Sequence, residues 1–324
     1  MSTSRNQPPI AGAWRRCIHA VWAAAWGVVL AISGGCGTGT DCPSETANRV
    51  TVVLTFDDGP LAADQSLDNA SGASVELLDQ LNAMLDTLNR RGARAVFYIE
   101  GPGDDETGSA VQSLFADGLR SIHDQGHVLG YHAFNHDPAI WSQTLGPPFF
   151  GRTAMRSDLV QLTAYLDTTL EVVGANRLEW FTPVYRQPFG GSGISRSEAE
   201  AVAQELGWIY HGFVIDSVDW TDNLESDPTL TDGLPFETDT ERVEFVRRRI
   251  RSGIFRNWDR EVIDILFHVN AFTAANLDAW IDEIETAYSQ KVDATIELEV
   301  PECYLTTPDA QVDRTLVEDV IRGL

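Results

Sequence analysis

Lysine is almost missing from this chain of 324 residues, since Lys291 is the only one among its 23 basic residues. The chain also carries 48 aspartates and glutamates, which gives a formal net charge of -25 at pH 7. This shortage of positive charge argues against nucleic acid and against an anionic membrane surface as binding partners. An acidic excess also keeps a protein soluble, so the charge alone assigns no function.

Cysteine is scarce as well, and the four that occur, at positions 17, 36, 42 and 303, are widely spaced. No two of them have the Cys-x-x-Cys spacing that is common in cysteine metal sites. We therefore expect no metal site built from cysteine.

The apolar segment 18–32 is too short for a comfortable transmembrane helix, but its length suits a signal segment. Two arginines precede it and small residues lead from it to Cys36, which resembles a bacterial lipoprotein cleavage site, although Ser33 replaces the usual leucine. We expect 1–36 to be a signal segment, Cys36 to carry a lipid and 37–48 to be a tether. The protein would then be exported to the cell envelope, lipid-anchored to a bacterial membrane or periplasmic. An uncleaved N-terminal anchor is the alternative, and it leaves the protein at the same membrane.

From residue 50 onward, apolar and β-branched runs alternate with segments of helical periodicity. The predicted strands are 50–54, 95–99, 127–131, 181–186, 209–215, 262–267 and 292–300. The predicted helices are 74–91, 111–124, 157–173, 196–206, 240–251 and 274–289. This order is typical of an α/β protein with a parallel barrel or a related sheet, and no internal repeat is visible.

The same pattern predicts one domain at 49–300, followed by a C-terminal extension at 301–324. Three polar stretches, 61–72, 101–109 and 221–238, follow strand ends. Such loops could wall a substrate groove or be inert surface insertions.

Cys42 and Cys303 lie just before the first predicted strand and just after the last. The two ends of a closed barrel are neighbours, and an exported protein meets an oxidising compartment. We therefore expect these two cysteines to form a disulfide.

Two adjacent carboxylates, Asp57 and Asp58, stand at the end of the first apolar strand, where Gly59 and Pro60 stop it. Sites in parallel α/β folds lie at the carboxyl ends of strands, and neighbouring strand residues point to opposite faces. One carboxylate can therefore hold a metal while the other handles a proton. A polar strand-end turn is the alternative for this motif on its own.

Two histidines, His132 and His136, follow the third strand at a spacing that would place them on one face of a helical turn. Alone, this spacing more often belongs to surface or core histidines than to a metal site. With Asp58 it supplies the two nitrogens and one oxygen of a hydrolytic zinc site.

At this point the chain resembles a known family, the polysaccharide deacetylases of the NodB-homology type, also called carbohydrate esterase family 4. Its five motifs occur in order, each at a predicted strand end. They are Thr-Phe-Asp-Asp-Gly-Pro at 55–60, His-Ala-Phe-Asn-His at 132–136, Arg-Gln-Pro-Phe-Gly at 186–190, Asp-Ser-Val-Asp-Trp at 216–220 and Leu-Phe-His at 266–268. The resemblance implies a distorted parallel (β/α) barrel of about seven strands, the NodB or glycoside hydrolase-deacetylase type.

The resemblance also implies a general base, a set of metal ligands and a partner for the base. Asp57 would be the general base for the attacking water, while Asp58, His132 and His136 would hold one divalent metal. Arg186 would pair with Asp57 and keep it ionised and oriented.

The resemblance further implies a general acid, an oxyanion donor and an acetyl pocket. His268 would be the general acid for the leaving amine, with Asp219 raising its pKa and orienting it. The backbone N–H of Phe189 would receive the oxyanion, and Trp220 and Leu266 would form the pocket for the acetyl methyl.

Two positions depart from the family pattern. Ala133 stands where serine or threonine is usual after the first metal histidine, and Asp137 stands where proline usually follows the second. Neither change removes a ligand, so we expect activity with altered support around the metal.

The resemblance therefore predicts a hydrolase acting on carbon–nitrogen bonds other than peptide bonds, with N-acetylhexosamine units of a peptidoglycan-like or chitin-like polysaccharide as substrate. The metal would be zinc, with cobalt or nickel as alternatives. An O-acetyl (xylan-type) esterase or a non-glycan amidase would use the same site, and a non-catalytic glycan-binding surface protein is a third interpretation. The sequence does not identify the glycan or the oligomeric state.

Overall fold

A computed structural model describes residues 49–61, 73–102, 109–136, 151–188, 194–220, 238–290 and 295–306. All of them belong to the second of the two units into which the chain divides, Thr40–Leu324. The predicted signal segment and tether lie outside the described residues. Within the described ranges, no helix has the length and apolar character that a membrane span requires.

Strands and helices alternate along the described chain. The strands are β1 (Arg49–Gly59), β2 (Ala95–Glu100), β3 (Val128–Ala133), β4 (Phe181–Tyr185), β5 (Ile209–Tyr210), β6 (Ile215–Asp216), β7 (Val262–His268) and β8 (Thr295–Leu298). The helices are α1 (Ala73–Arg91), α2 (Ser109–Asp124), α3 (Arg152–Val172), α4 (Arg177–Trp180), α5 (Arg196–Glu205), α6 (Asp239–Arg256), α7 (Ala271–Ser289) and α8 (Glu302–Thr306).

The strands form one parallel sheet in the order β5-β4-β3-β2-β1-β7-β6, and β8 pairs with the beginning of β1. The helical crossovers lie between strands that run in the same direction, as parallel pairing requires. The predicted fold, a distorted parallel (β/α) barrel of about seven strands, is confirmed. All its strands end at one edge, which we call the mouth.

The sequence prediction of one strand at 209–215 is wrong in a way that matters for the site. The segment forms two short strands, and they lie at opposite edges of the sheet, where β5 pairs with β4 and β6 pairs with β7. Residues 211–214 cross between these edges: the backbone N–H of His211 donates to Tyr185 and that of Val214 to Asp264. One continuous strand cannot pair with both edges, so the chain breaks its β conformation there.

The outward faces of the strands pack against the helices and form the larger core. Phe56 stacks between Phe97 and Phe267, with ring centroids 4.9 and 5.8 Å apart, and Phe267 lies 5.6 Å from Trp280 of α7. All four side chains are fully buried. The strand residues between them therefore point to the other face, into the barrel.

The barrel interior holds a second, smaller core below the mouth. Its buried members are Val53, Val96, Tyr98, Val128, Val184, Val300 and Tyr304. Val300 and Tyr304 come from the end of the described chain, and Tyr304 lies on α8. The predicted C-terminal extension therefore contributes a buried side chain to the barrel.

Candidate active site at the mouth of the barrel

The strand alternation that fills the barrel with valine at the bottom brings polar side chains to the mouth. On β1 the inward positions run from Val53 through Thr55 to Asp57, and on β7 from Asp264 through Leu266 to His268. The two strands are in register, so Asp57 pairs directly with His268. The mouth therefore collects titratable groups from neighbouring strands.

Asp58, His132 and His136 converge at this mouth. The carboxylate Oδ1 of Asp58 lies 3.2 Å from Nε2 of His132 and 3.5 Å from Nε2 of His136. One ligand atom from each of the three residues lies within 4.8 Å of the others. Asp58 has a φ of 63°, a left-handed conformation that turns its side chain away from the strand pattern.

The helical turn predicted for the two histidines is wrong, although they do meet. His132 belongs to strand β3, and His136 follows in irregular chain, with the two ring centroids 5.3 Å apart. The buried carboxylate of Asp158 on α3 accepts the backbone N–H groups of Phe134 and Asn135 at 2.8 and 3.0 Å. These bonds bend the chain after β3, and the bend returns His136 to His132.

The donor chemistry of the three residues fits a divalent cation. Nδ1 of His132 donates to the carbonyl of Arg186 at 2.8 Å, which leaves Nε2 of the neutral ring with a lone pair. That lone pair faces the buried Oδ1 of Asp58, which takes no well-formed hydrogen bond from the described residues. Two acceptors held this close repel each other unless a proton or a cation lies between them.

Electrostatic effects on the three groups agree with this interpretation. Burial favours a neutral Asp58, but the nearby histidines, His136 first, outweigh it and hold its pKa well below the usual range. Burial likewise opposes a charged His132, yet the charges of Asp57 and Asp58 raise its pKa overall. For His136 burial dominates, and the pKa is lowered. The pocket thus attracts positive charge while keeping one imidazole neutral.

Asp57 lies in a second cluster, built around the buried guanidinium of Arg186. It is 4% exposed, and its Oδ1 lies 3.3 Å from Nη1 of Arg186. The nearer partner of Arg186 is Asp264, whose Oδ2 lies 2.5 Å from Nη2, and the carbonyl of Gly212 accepts from the same nitrogen at 2.6 Å. Nη1 also donates to the hydroxyl of Thr55 at 2.5 Å. One buried guanidinium therefore serves two carboxylates.

His268 and Asp219 form a separate pair on the other side of Asp57. Nδ1 of His268 donates to Oδ1 of Asp219 at 2.8 Å, and its backbone N–H donates to Oδ2 at 2.8 Å. Asp219 is fully buried and also accepts from the hydroxyls of Ser217 and Thr273. Burial lowers the pKa of His268, but Asp219 outweighs it and raises that pKa to about 10 in the metal-free protein.

The residues assigned to the acetyl pocket are placed unequally. Leu266 is 5% exposed on β7, two positions before His268 and on the same face of the strand. Trp220 is 43% exposed and follows Asp219. Phe189, expected to supply the oxyanion N–H, lies outside the described residues.

Sequence reasoning missed several polar residues that support the site. Asp264 stands within a buried apolar strand, Asp158 on a helix, and Tyr304 beyond the predicted domain. Glu100 ends β2 at 5% exposure, with Oε2 unpartnered among the described residues and its pKa raised by burial and by Asp58. The only sequence signal was a charged residue inside an otherwise apolar run, as in Val-Ile-Asp-Ile-Leu at 262–266.

Cys303 is disulfide-bonded. The other three cysteines lie outside the described residues, so its pairing with Cys42, like the lipid on Cys36, stays a prediction.

Comparison with known proteins identifies the family. The sequence profile of the family described as polysaccharide deacetylase matches residues 44–209, just over half of the chain. This chain belongs to that family. A curated relative from Bacillus subtilis (strain 168), named "Putative polysaccharide deacetylase YheN", is 26% identical over 170 residues. That match covers 52% of this chain and 46% of YheN, so the aligned part spans about half of that relative.

Solved structures share the fold of this polysaccharide deacetylase family member at low sequence identity. A Mycobacterium smegmatis structure superposes with a TM-score of 0.51 at 15% identity, and the match covers 84% of this chain and 97% of that structure. A Streptococcus mutans structure titled as a CE4 esterase gives a TM-score of 0.50 at 17% identity, covering 78% of this chain and 86% of its own. These matches support the barrel fold alone.

Proposed function

We propose that this protein is a metal-dependent hydrolase that removes N-acetyl groups from N-acetylhexosamine units of a polysaccharide. The observation that carries the proposal is the arrangement at the mouth. A His-His-Asp set that fits a cation lies beside one carboxylate on an arginine and one histidine on a carboxylate. Amide hydrolysis needs all three parts, because an amide is a weak electrophile and an amine is a poor leaving group.

Asp58, His132 and His136 would hold the cation. When bound, a divalent cation supplies Lewis acidity, which acidifies water and polarises an acyl carbonyl. The two imidazoles and one carboxylate suit zinc, and cobalt or nickel would fit the same donors.

Asp57 would accept the proton of the attacking water. Its contact with Arg186 orients the carboxylate toward this role. Asp57 is not among the three proposed ligands, so the cation would not occupy its carboxylate.

His268 would donate a proton to the leaving nitrogen. Its Nδ1 is engaged by Asp219, which leaves Nε2 as the ring atom that can face a substrate. Asp219 keeps the ring charged, and a nearby cation would bring the pKa of His268 down from about 10 toward the working range. An ester needs such an acid less than an amide does, so this pair favours N-acetyl substrates over O-acetyl ones.

Acetate release from a panel of acetylated glycans tests the proposal. Peptidoglycan fragments, chitin oligosaccharides and acetylated xylan should be compared with and without chelator, followed by return of Zn²⁺, Co²⁺ or Ni²⁺. We expect release from an N-acetylated glycan that stops with chelator and returns with metal. Faster release from xylan would favour the esterase, and glycan binding without release would favour the non-catalytic interpretation.

Metal content gives a second readout that does not depend on activity. The purified protein should hold one divalent metal, and His136→Ala should lose it because one of three ligands is gone. Full metal occupancy in that variant would contradict the assignment of His136.

The location of the protein is proposed on sequence grounds alone. The signal-like segment 1–36 supports export to the cell envelope, and Cys36 would carry the anchoring lipid. Mass spectrometry of the N-terminal peptide from the native host would detect the lipid; an unmodified Cys36 in the mature protein would rule it out.

A further inference from the structure

Tyr304 is a buried tyrosine whose hydroxyl reaches the charged cluster beneath the mouth. It lies on the short helix α8, which contacts β4, and it is 8% exposed. Its ring packs in the inner core, 4.4 Å from the ring of His211. Its neighbour Cys303 is disulfide-bonded. Packing against the inner core defines the position of the hydroxyl.

The hydroxyl of Tyr304 donates to Oδ2 of Asp264, the oxygen that also accepts from Nη2 of Arg186. The other oxygen of Asp264 accepts from the hydroxyl of Thr55 at 2.9 Å. Asp264 is 2% exposed, so it depends on these donors to offset the loss of water. Packing alone does not require a hydroxyl here, because phenylalanine would fill the same space.

The link to the reaction passes through Arg186. Asp264 and Asp57 share its guanidinium, at 2.5 and 3.3 Å, so a group that satisfies Asp264 leaves more of Arg186 for Asp57. Without the tyrosine hydroxyl, Asp264 would draw the guanidinium further from Asp57. The base would then lose part of the contact that orients it.

We infer that Tyr304 is a positioning residue for the general base, acting through Asp264 and Arg186, so that the segment carrying α8 belongs to the catalytic domain. This rests on the proposed function for its effect on rate, but its structural effect does not. The predicted boundary at residue 300 would accordingly move beyond α8.

The test is Tyr304→Phe in the full-length protein, which removes the hydroxyl and keeps the ring. We expect kcat on an N-acetylated glycan to fall about tenfold, with KM within about twofold and metal content unchanged. In an Asp264→Asn background the same change should lower kcat much less, because the carboxylate that the hydroxyl contacts is gone. A merely structural role would lower the melting temperature without this split between kcat and KM.

Tyr288→Phe is the matched control, because the buried hydroxyl of Tyr288 on α7 has no hydrogen-bond partner among the described residues. It should leave kcat within about twofold of wild type. A Tyr304→Phe enzyme that matches wild type in kcat, or that loses as much in the Asp264→Asn background, would overturn the inference.

A crystal structure of Tyr304→Phe separates this inference from the proposed function. We expect the distance between Nη1 of Arg186 and Oδ1 of Asp57 to be longer than in the wild-type protein. An unchanged distance overturns the positioning role even if the enzyme is active. A longer distance supports the role even if no tested glycan releases acetate, a result that would count against the proposed function only.

Discussion

The Asp57 side and the His268 side of the mouth hold their proton-transfer candidates in different ways. Asp57 competes with Asp264 for one guanidinium and has the longer contact of the two. His268 is bound twice by Asp219, whose other described side-chain contacts are neutral hydroxyls. A substitution in the Arg186 cluster therefore alters the contacts of several charged groups. A substitution in the His268–Asp219 pair alters the contacts of one charged pair.

The comparison predicts that the Asp57 side gives the largest loss of activity. Asp57→Asn removes the proton acceptor, and we expect turnover to fall by at least about 10³-fold, within the usual span for a general base. Metal content, measured by mass spectrometry, should remain that of wild type, because Asp57 is not a proposed ligand. A variant that keeps about a tenth of the wild-type rate would show that another group takes the proton.

On the His268 side the expected loss depends on the substrate. His268→Ala should lower the rate of amide hydrolysis by about 10²–10⁴-fold, because the leaving nitrogen must be protonated. The same variant should hydrolyse an activated aryl acetate at a rate much closer to that of wild type, because that leaving group needs no proton. Equal losses on the two substrates would assign His268 an electrostatic role in place of proton donation.

The loop that carries His136 gives a third prediction, because His136 is one of the three proposed metal ligands. Asp158→Asn replaces one carboxylate oxygen that accepts a backbone N–H of this loop, and we expect metal affinity to fall about 10–100-fold. Titration calorimetry on the metal-free protein measures this. Asp167→Asn is the control, because Asp167 lies on the same helix, is exposed and pairs with Arg177.

Equal affinities for the Asp158 and Asp167 variants would show that the loop does not need its two hydrogen bonds to place His136.

The smallest expected effect is on stability. It tests whether the His268–Asp219 pair alone controls how stability changes with pH. The pKa of His268 is raised to about 10 in the metal-free fold, above its unfolded value of about 6.5. Its contribution to the free energy of unfolding is therefore complete below pH 6.5 and is lost as the pH rises toward 10, by about 2–5 kcal/mol. Denaturant titrations of the metal-free protein across this range measure the loss.

Asp219→Asn should flatten that dependence, because it removes the charge that stabilises the imidazolium. Parallel curves for the variant and the wild type would show that other groups control the pH response.

Much of this architecture was predictable because strand ends carry strong local signals. Asp57, Asp58 and His268 stand directly after apolar β-branched runs, and the parallel sheet brings such ends to one edge. His132 and His136 were paired correctly in space for the wrong local reason, because the bend between them depends on Asp158 from another element. Short-range periodicity cannot contain that contact.

What escaped prediction depends on contacts between distant parts of the chain. Asp264 looks like a break in an apolar strand until the barrel places Arg186 beside it. Tyr304 looks like part of an appendix until α8 returns to the inner core. The division of 209–215 into β5 and β6 follows from the two edges that the segment must join, and neither edge is visible in its own sequence.

The register of β1 with β7 has a consequence for how the protein folds. Thr55 and Asp264, which bond across that register, are 209 residues apart in the chain. Contacts of such long range form late, because the entropy of closing a large loop is lost before the contact rewards it. A chain in which β1 and β7 have not yet paired cannot hold Asp57 beside His268. We therefore expect the candidate site to assemble in a single late step of folding. In a refolding assay, activity should return with the last kinetic phase.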